Sequence, residues 1–297
     1  MLSLADRVAA VTADDVKLLG LIYKLHEGYA AVPLTVLESS YKPAAELGER
    51  LSRLLELGLV RSVRGTEYMY QLTYRGLDVL AIAQLTRRGV LSRVGDVLAV
   101  GKESEVYLGW TPTSSPVVLK LHREGSRSFR ALTRSRRYRS LTGRSLWLDV
   151  SVEAAGREFT ALVSVRRAGG LVPRPLDRAL HAVATEYLDG VELYKARWLD
   201  RESALRVLKD VITTVRVALR AAGIVHGDLS PYNVLVVNDP GGPRGYVIDW
   251  PQYLSASDPG AMDALTRDLK ALATFFNKSL GLDLTTEELL RAVREEG

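Results

Sequence analysis

The stretch His226–Asn233, HGDLSPYN, runs directly into the β-prone segment VLVV at residues 234–237. Within it an aspartate and an asparagine, Asp228 and Asn233, stand five positions apart on one loop. Phosphoryl transfer needs a carboxylate that orients the attacking hydroxyl or accepts its proton, together with a nearby oxygen ligand for Mg²⁺. The loop therefore predicts a phosphoryl-transfer centre in which Asp228 acts on the nucleophile and Asn233 binds metal.

A second acid follows this loop at a fixed distance along the chain. After a predicted Pro/Gly-rich turn from Asp239 to Gly245, the apolar segment YVI at residues 246–248 leads into Asp249. A hard divalent cation that bridges phosphates prefers such an oxygen ligand. Any single aspartate could be a helix cap or a turn residue, but the ordered combination of the two loops predicts that Asp249 is a metal ligand and a catalytic residue.

Upstream, residues 100–107, VGKESEVY, have the pattern of a glycine-containing turn that enters a strand. Backbone N–H groups of such a turn and the Ser104 hydroxyl can face phosphates. A Walker A loop is excluded, because five residues rather than four separate Gly95 from Gly101, and Glu103 occupies the Ser/Thr position. The predicted nucleotide-binding residues here are Val100, Gly101, Lys102, Glu103, Ser104 and Val106.

Beyond this turn a lysine lies in the apolar run VVLKL, at Lys120. A buried lysine without a partner is costly, so Lys120 is predicted to contact a phosphate or an acid on the following helix. Glu158 is the first choice for that acid because apolar residues flank it at helical spacing, and Glu153 is the alternative. The later strand that runs from residue 181 into Gly190 predicts a connection between two lobes, where backbone groups of Glu186 and Leu188 can bind adenine.

The first ninety residues predict three helices, a hairpin and a further helix, which is the order of a winged helix. The predicted helices are Asp14–Gly28, Pro33–Leu37 and Pro43–Gly58, the hairpin turns at Arg64-Gly65, and the last helix is Tyr74–Arg88. Arg50 and Arg53 lie on the polar side of the third helix and are predicted to contact nucleic acid. Several glutamates on the same helix dilute this positive field, so a protein-docking role is the alternative.

The most basic segment of the chain lies between Arg123 and Arg144, with eight arginines and one acid, Glu124. Such a run predicts a contact with a polyanion, with a solvated surface as the alternative. The arginines assigned to nucleic acid are Arg134, Arg136, Arg137 and Arg139. The net charge of +5 and the pI near 9.3 support this only weakly by themselves.

Composition limits the class of protein. Hydrophobic residues make up 47% of the 297-residue chain and charged residues 25%, which are ordinary globular values. With no cysteine there can be no disulfide and no thiolate metal site, which fits an intracellular, cytoplasmic protein. A basic leader followed by an apolar segment is not found at the start, and no uncharged apolar run reaches about 18 residues. The sequence therefore predicts no membrane association.

These motifs together resemble the RIO family of atypical protein kinases, and specifically its type-2 members from archaea. VGKESEVY is similar to the family's phosphate loop, HGDLSPYN to its catalytic loop, and IDWPQ to its metal loop, with Pro251-Gln252 typical of type 2. A winged helix before the kinase domain belongs to the same subfamily. The chain departs from the family at Ala99, where a glycine is usual, and at Trp250, where phenylalanine is common.

The resemblance implies an α+β fold with a winged helix at residues 1–90 and a compact bilobal kinase-like domain at 91–297. Its N-lobe is predicted at about 91–185 and its C-lobe at about 186–297. The implied activity is that of a serine/threonine protein kinase and ATPase that uses ATP with Mg²⁺, with Mn²⁺ as the other candidate metal. The implied partner is a pre-ribosomal small subunit, through its rRNA and proteins, with ATP turnover as a release switch. A transient aspartyl phosphate at Asp249 is also implied.

Two other readings compete with this one. The first is a winged-helix regulator of nucleic acid whose kinase-like part only senses nucleotide, but the joint presence of Lys120, Asp228, Asn233 and Asp249 argues against it. The second is a small-molecule phosphotransferase such as an aminoglycoside or choline kinase, which shares the HGD loop. After Asp249 the chain predicts only two helices, Ala261–Leu280 and Thr285–Val293, so little chain is left for a peptide-binding groove.

Overall fold

The computed structural model describes residues 2–65, 67–123 and 146–295. These residues divide into two compact units. Unit 1 comprises residues 1–155 and 177–184, and unit 2 comprises residues 156–176 and 185–297. The domain limits near residues 90 and 185 given above stay predictions.

Unit 1 begins with the helices and hairpin of a winged helix, which confirms this part of the predicted fold. Its elements are α1 (Leu4–Ala10), α2 (Ala13–Leu25), β1 (Val32–Pro33), α3 (Leu34–Ser40), α4 (Leu47–Glu56), β2 (Val60–Arg64), β3 (Tyr68–Leu72) and α5 (Tyr74–Arg87). Strand β3 lies between β1 and β2, so the hairpin is completed to a three-stranded sheet by Val32–Pro33, although Pro33 was predicted to begin a helix. Helix α1 was not predicted either, because its seven residues include only one buried side chain, Leu4.

Leucines at helical spacing build the core of this segment. Leu18, Leu19 and Ile22 of α2 are fully buried against Leu51 and Leu54 of α4. Burial of each such side chain contributes about 1.5–3 kcal/mol, which makes this cluster the main stabilising feature of the segment. Because α5 packs on α1 and α2 and is buried along most of its length, it belongs to the interior of this segment rather than to its edge.

Five strands follow in a sheet of order β4-β5-β6-β8-β7. They are β4 (Arg93–Val100), β5 (Ser104–Trp110), β6 (Pro116–His122), β7 (Pro175–Ala179) and β8 (Ala182–Glu186). One face of β5 and β6 is buried through Tyr107, Leu119 and Leu121, while Val106 and Lys120 on the opposite face are half-buried. Helix α6 (Leu146–Arg167) contributes residues to both units.

Unit 2 contains the remaining helices and two small sheets, of order β12-β11-β9 and β10-β13. Its elements are β9 (Gly190–Glu192), α7 (Arg201–Arg220), β10 (Ile224–Val225), β11 (Val234–Asp239), β12 (Gly242–Val247), β13 (Leu254–Ser255), α8 (Ala261–Leu280) and α9 (Thr286–Arg294). Strand β12 packs closely on α7, where a side chain at Gly245 would lie 2.8 Å from the carbonyl oxygen of Val207. The two C-terminal helices confirm the prediction from the sequence.

One predicted boundary in unit 2 is wrong. The turn expected from Asp239 to Gly245 is a two-residue connection, since β11 extends to Asp239 and β12 begins at Gly242. Pro243 is tolerated in β12 because this strand lies at the edge of its sheet, where a missing N–H interrupts no ladder on the outer side. Among the described residues of both units, the structure contains no helix long and apolar enough to cross a membrane.

Candidate active site

The catalytic loop, His226–Asn233, lies between β10 and β11 in unit 2. His226 is buried and its Nε2 atom donates a hydrogen bond to the carbonyl oxygen of Ile248 at 3.0 Å. Its Nδ1 atom accepts the backbone N–H of Asp228 at 3.3 Å, so the neutral ring is held with the proton on Nε2. His226 therefore joins the catalytic loop to the residue just before Asp249.

The structure brings the two predicted catalytic-loop residues together. The side-chain amide nitrogen of Asn233 donates to the backbone carbonyl of Asp228 at 2.8 Å. This bond closes the loop and leaves the amide oxygen Oδ1 of Asn233 as the atom that can act on a cation. Asp228 itself is exposed, as a group that meets a substrate hydroxyl must be.

Asp249 follows β12 in a backbone conformation that is rare outside glycine, with φ of +69°. Such conformations cost about 1–3 kcal/mol and persist where surrounding contacts impose them. The residues on both sides supply those contacts, since the N–H of Ile248 donates to the carbonyl of Asn233 at 3.0 Å and Trp250 is fully buried. The indole N–H of Trp250 also donates to the carbonyl of Val247 at 3.2 Å. Trp250, which departs from the family pattern, thus serves as an apolar anchor for the segment around Asp249.

A buried acid that the sequence interpretation missed, Asp268, holds the backbone of the catalytic loop. Asp268 of α8 accepts the backbone N–H groups of Gly227 at 2.9 Å and Leu229 at 3.1 Å, the two residues that flank Asp228. Burial raises the pKa of Asp268 to about 6, although these two hydrogen bonds oppose the rise. A signal was present in the sequence, because Asp268 lies three residues after Leu265 and four before Leu272, on the apolar face of its helix.

A second missed residue is Arg157 of α6, next to the predicted Glu158. The Arg157 guanidinium donates to the carbonyl of Pro251 at 2.8 Å and to the carbonyl of Tyr253. It therefore positions the segment that follows Asp249. Arginine on a helix gives no sequence signal for such a contact, because its two acceptors lie more than ninety residues away.

Between the two acids proposed as partners of Lys120, burial distinguishes Glu158 from Glu153. Glu158 is 3% exposed, whereas Glu153 is exposed. A carboxylate removed from water needs a compensating cation or donor, and the pairing of Glu158 with Lys120 stays a prediction. Lys120 belongs to unit 1 and Glu158 to unit 2.

Unit 1 places the predicted phosphate loop beside Lys120. The N–H of Gly101 donates to the carbonyl of Ser104 at 2.8 Å, which forms the turn into β5. Val106 of β5 pairs with Lys120 of β6, and directly opposite residues of an antiparallel pair share a face of the sheet. Because alternate side chains point to the same face, Ser104, Val106 and Lys120 lie on one face. Val100, at the end of β4, is 72% exposed.

The predicted adenine-binding segment follows β8. The N–H of Glu186 donates to the carbonyl of Arg174 at 2.9 Å, and the Glu186 carboxylate accepts the N–H of Arg174 at 2.7 Å. Arg166 lies 3.7 Å from the same carboxylate. Leu188 is half-buried in the connection between β8 and β9. The structure thus fixes Glu186 through its amide and side chain.

Two of the residues assigned to nucleic acid, Arg50 and Arg53, pair with acidic side chains of unit 1. Arg50 donates to Glu46 at 2.6 Å and lies 3.3 Å from both Asp14 and Asp15, so its charge is already balanced within unit 1. Arg53 lies 3.2 Å from Asp15 and also donates to a backbone carbonyl. The Arg50 side chain is 17% exposed and the Arg53 side chain 47%, and their contact with nucleic acid stays a prediction. The remaining assigned arginines, Arg134, Arg136, Arg137 and Arg139, lie outside the described residues.

Comparison with known proteins places the chain in one family. The RIO domain family matches residues 105–289, and the family described as Rio2, N-terminal matches residues 8–88. The "RIO-type serine/threonine-protein kinase Rio2" of Methanocaldococcus jannaschii is 33% identical over 254 residues, which cover 83% of this chain and 90% of that protein. The "Serine/threonine-protein kinase RIO2" of Caenorhabditis elegans is 34% identical over 70% of this chain, but this chain spans only 38% of its length.

A solved structure agrees with the fold along nearly the whole chain. The Rio2 kinase from Chaetomium thermophilum, solved as an "ADP/Mg2+-phosphoaspartate complex", superposes with a TM-score of 0.81 at 25% sequence identity. The match covers 98% of this chain and 89% of that one. The predicted α+β architecture is therefore confirmed. The chain belongs to the RIO kinase family, in its Rio2 branch.

Proposed function

We propose that this protein binds ATP with Mg²⁺ and transfers the γ-phosphoryl group, either to a serine or threonine hydroxyl or to water. The observation that carries the proposal is the fastening of the catalytic loop to the residues around Asp249. Two hydrogen bonds do this, His226 to Ile248 and Ile248 to Asn233, while the bond from Asn233 to Asp228 closes the loop itself. Strained backbone of this kind clusters at functional sites, and here a neighbouring loop holds it.

The residues of unit 2 fit a divalent cation that substrate phosphates help to bind. The described residues contain no group of three or more His, Cys, Asp or Glu that could hold a metal by themselves. Mg²⁺ is commonly held by one or two protein oxygens with phosphates and waters completing its shell. Asn233 through Oδ1 and Asp249 through its carboxylate would supply the protein ligands. When bound, the ion offsets negative charge on the phosphates.

The roles of the other residues follow from their places in the fold. Asp228 would orient the acceptor hydroxyl and take its proton as the new O–P bond forms and ADP leaves. Lys120, with Val100, Gly101, Lys102, Glu103, Ser104 and Val106, would bind phosphates and ribose on the half-buried face of β5 and β6. Glu158 would orient Lys120, and backbone groups of Glu186 and Leu188 would bind adenine.

A second acceptor for the phosphoryl group is the carboxylate of Asp249. An Asp249 oxygen would attack the γ-phosphorus, ADP would leave, and water would later hydrolyse the aspartyl phosphate. The phosphoaspartate named for the Chaetomium Rio2 kinase supports this route. Turnover would then return the protein to its starting state without a protein substrate.

We further propose that this cycle acts in the cytoplasm, in maturation of the small ribosomal subunit. ATP-bound and product-bound forms would differ in affinity for the pre-ribosomal particle, because a ligand shifts an equilibrium only through such differential binding. The resemblance to Rio2 kinases supports this role, and contact would be made with rRNA and ribosomal proteins.

The test measures turnover and particle affinity side by side. Purified protein is incubated with labelled ATP and Mg²⁺, with and without precursor small subunits, and particle affinity is measured with ADP and with a non-hydrolysable ATP analogue. We expect Mg²⁺-dependent phosphate release and an affinity that changes with the nucleotide. Nucleotide binding without any turnover would favour the winged-helix regulator. Efficient phosphorylation of free peptides, with particle affinity independent of nucleotide, would indicate a signalling kinase.

A further inference from the structure

A cluster of charged side chains lies in unit 1, outside the site described above. It joins helix α5 of the winged-helix segment to the sheet that carries the phosphate loop. We call it the α5 cluster, and its members are Arg75, Asp78, Glu105, Tyr107, Arg123 and His181. Two arginines face two carboxylates, so the charges balance only when all four are present.

The buried half of the cluster is centred on Asp78, which is fully buried in α5. Arg123 donates to both carboxylate oxygens of Asp78, at 2.6 and 2.7 Å, in a bidentate pair. His181 adds a contact of 2.8 Å between its Nε2 atom and Asp78 Oδ1. Burial would raise the pKa of Asp78, but the His181 hydrogen bond and the Arg123 charge bring it below its ordinary value. Asp78 is therefore a charged anchor within unit 1.

In the outer half of the cluster, three side chains bind the carboxylate of Glu105. Arg75, one helical turn before Asp78, donates to Glu105 at 2.7 and 3.3 Å. Arg123 reaches the same carboxylate at 3.3 Å, and the Tyr107 hydroxyl donates to it at 2.7 Å. Glu105 thus accepts from three side chains, of which Arg75 comes from the winged-helix segment.

The position of Glu105 in β5 shows which face of the strand these contacts hold. Glu105 directly follows Ser104, and successive side chains of a strand point to opposite faces. Its carboxylate therefore lies on the face of β5 opposite to Ser104, Val106 and Lys120. Arg123 adds a second hold, because its backbone N–H donates to the carbonyl of Glu103 at 2.6 Å. The α5 cluster therefore binds one face of β5, and the proposed phosphate site lies on the opposite face.

We propose that Arg75 and Asp78 of α5 are positioning residues for the phosphate loop, so that the winged-helix segment sets the affinity of the protein for ATP. This inference rests on the proposed nucleotide-binding function. Arg75 holds Glu105 directly, and Asp78 holds it through Arg123. When the contacts of Arg75 and Arg123 with Glu105 are lost, residues 101–106 sample other positions and the phosphates lose fixed hydrogen-bond donors. Groups that act on the nucleophile are unaffected, so the loss falls on binding rather than on the chemical step.

A merely structural role would give a different result. If the cluster only stabilised unit 1, its removal would lower the melting temperature and reduce the active fraction, which lowers kcat and leaves the KM for ATP unchanged. A positioning role instead raises KM and the dissociation constant for nucleotide, with kcat nearly constant. A tenfold change in the dissociation constant corresponds to about 1.4 kcal/mol, which is about the worth of one hydrogen bond to a charged group, so an effect of this size is expected.

The main variant is Arg75→Gln, and the chain offers a matched control. Arg75 is 36% exposed and forms its ion pairs from the first turn of α5, whereas Arg88, 44% exposed at the end of the same helix, pairs with Asp177 at 3.1 Å. Arg88→Gln therefore removes an equally exposed ion pair of α5 that does not involve Glu105. Arg75→Lys is the conservative variant, since it keeps the charge but cannot form the same forked contacts.

Three measurements are made on the full chain with Mg²⁺: steady-state ATP turnover, binding of a fluorescent ADP analogue, and amide hydrogen exchange of residues 101–106. For Arg75→Gln we expect a KM and a dissociation constant about tenfold higher, kcat within about twofold, and faster exchange in residues 101–106. Arg75→Lys should recover part of the affinity, and Arg88→Gln should match the wild type in all three measurements.

The outcomes separate the two proposals. Equal nucleotide affinity and equal exchange in wild type and Arg75→Gln would overturn the positioning role while the proposed function stands. The same change in Arg88→Gln as in Arg75→Gln would also overturn it, because the effect would then be one of general stability. Wild-type protein that binds neither ATP nor ADP would overturn the proposed function, and with it the role of Arg75 and Asp78 in nucleotide affinity.

Discussion

The catalytic loop and helix α4 both carry polar residues that the sequence predicts to meet a ligand, and the structure treats the two sets differently. In the loop, backbone bonds to Asp268 and a side-chain bond from Asn233 fix the chain while the Asp228 carboxylate is exposed. On α4, Arg50 is only 17% exposed and is balanced by Asp14, Asp15 and Glu46.

The catalytic loop and helix α4 differ in the contacts that the rest of the protein supplies to their polar residues. A long arginine on a helix can reach acids on neighbouring helices, and the first turn of α2 carries two acids, Asp14 and Asp15. The proposed catalytic aspartates instead stand on loops whose backbone is held by hydrogen bonds, from Gly227 and Leu229 to Asp268 and from Ile248 to Asn233. The environment of a cation on a helix thus depends on which neighbouring helices lie within its reach, whereas the position of a loop carboxylate depends on the hydrogen bonds of the loop backbone.

The largest effect is expected at Asp249. Asp249→Asn keeps the shape of the side chain but removes the charge that would balance the metal ion, a contribution of several kcal/mol to the transition state. We expect Mg²⁺-dependent ATP turnover to fall about 10³-fold, with an unchanged circular dichroism spectrum. Asp283→Asn, at an exposed position between α8 and α9, is the control. Wild-type turnover by the folded Asp249 variant would remove this residue from the site.

A smaller and more selective effect is expected at Asp228. Asp228→Ala removes the group proposed to act on the nucleophile, and we expect turnover to fall about 10²-fold, at the lower end of what general base catalysis contributes. The dissociation constant for ATP should stay within about twofold, because Asp228 has no proposed contact with the nucleotide. Labelled-phosphate release and nucleotide binding measured on the same preparation check this. A parallel loss of binding would assign Asp228 to the metal or the nucleotide instead.

Asp268 gives a prediction about pH. Its pKa is raised from an ordinary value of 3.8 to about 6 by burial, so folding takes up a proton between about pH 4 and pH 6. The contribution of this group to the free energy of unfolding is therefore highest below pH 4, falls as the pH rises through this window, and is constant above it. The Asp268→Asn variant cannot ionise and lacks this dependence.

Urea denaturation of wild type and Asp268→Asn between pH 4 and pH 7 measures the effect. The stability of wild type relative to the variant should fall by up to about 3 kcal/mol across this range, since one pKa unit corresponds to about 1.36 kcal/mol. Asp263→Asn, exposed in the first turn of the same helix, should show no such change relative to wild type. A pH-independent difference at Asp268 would show that the carboxylate keeps an ordinary pKa.

The smallest effect on RNA binding is expected for Arg50 of α4, and it is measured against the effect of the arginines between Arg123 and Arg144. Replacement of Arg134, Arg136, Arg137 and Arg139 by Gln should weaken binding to ribosomal particles and reduce the salt dependence of binding by about 0.7–0.9 per lost phosphate contact. Arg50→Gln should leave that salt dependence unchanged, because its charge is already paired. A slope reduced by Arg50→Gln, or unchanged in the fourfold variant, would reverse this assignment of the RNA-binding surface.

The sequence by itself determined the elements whose signals are local. Apolar periodicity located α2, α4, α5 and α8, and the spacing of Asp228, Asn233 and Asp249 identified the two loops and the family. These signals can be read because helix and strand periods, turn residues and loop motifs involve residues that are close along the chain.

Only the tertiary structure decided the contacts between distant residues. Arg123 and Asp78 are 45 positions apart, Gly227 and Asp268 are 41 apart, and Arg50 and Asp15 are 35 apart. Each pair depends on how separate elements pack, and an isolated Asp or Arg on a helix gives the same local pattern whether it is solvated, paired or buried. The support of the catalytic loop, the α5 cluster and the neutralisation of Arg50 therefore follow from packing, which fixes the partner that each charge finds in place of water.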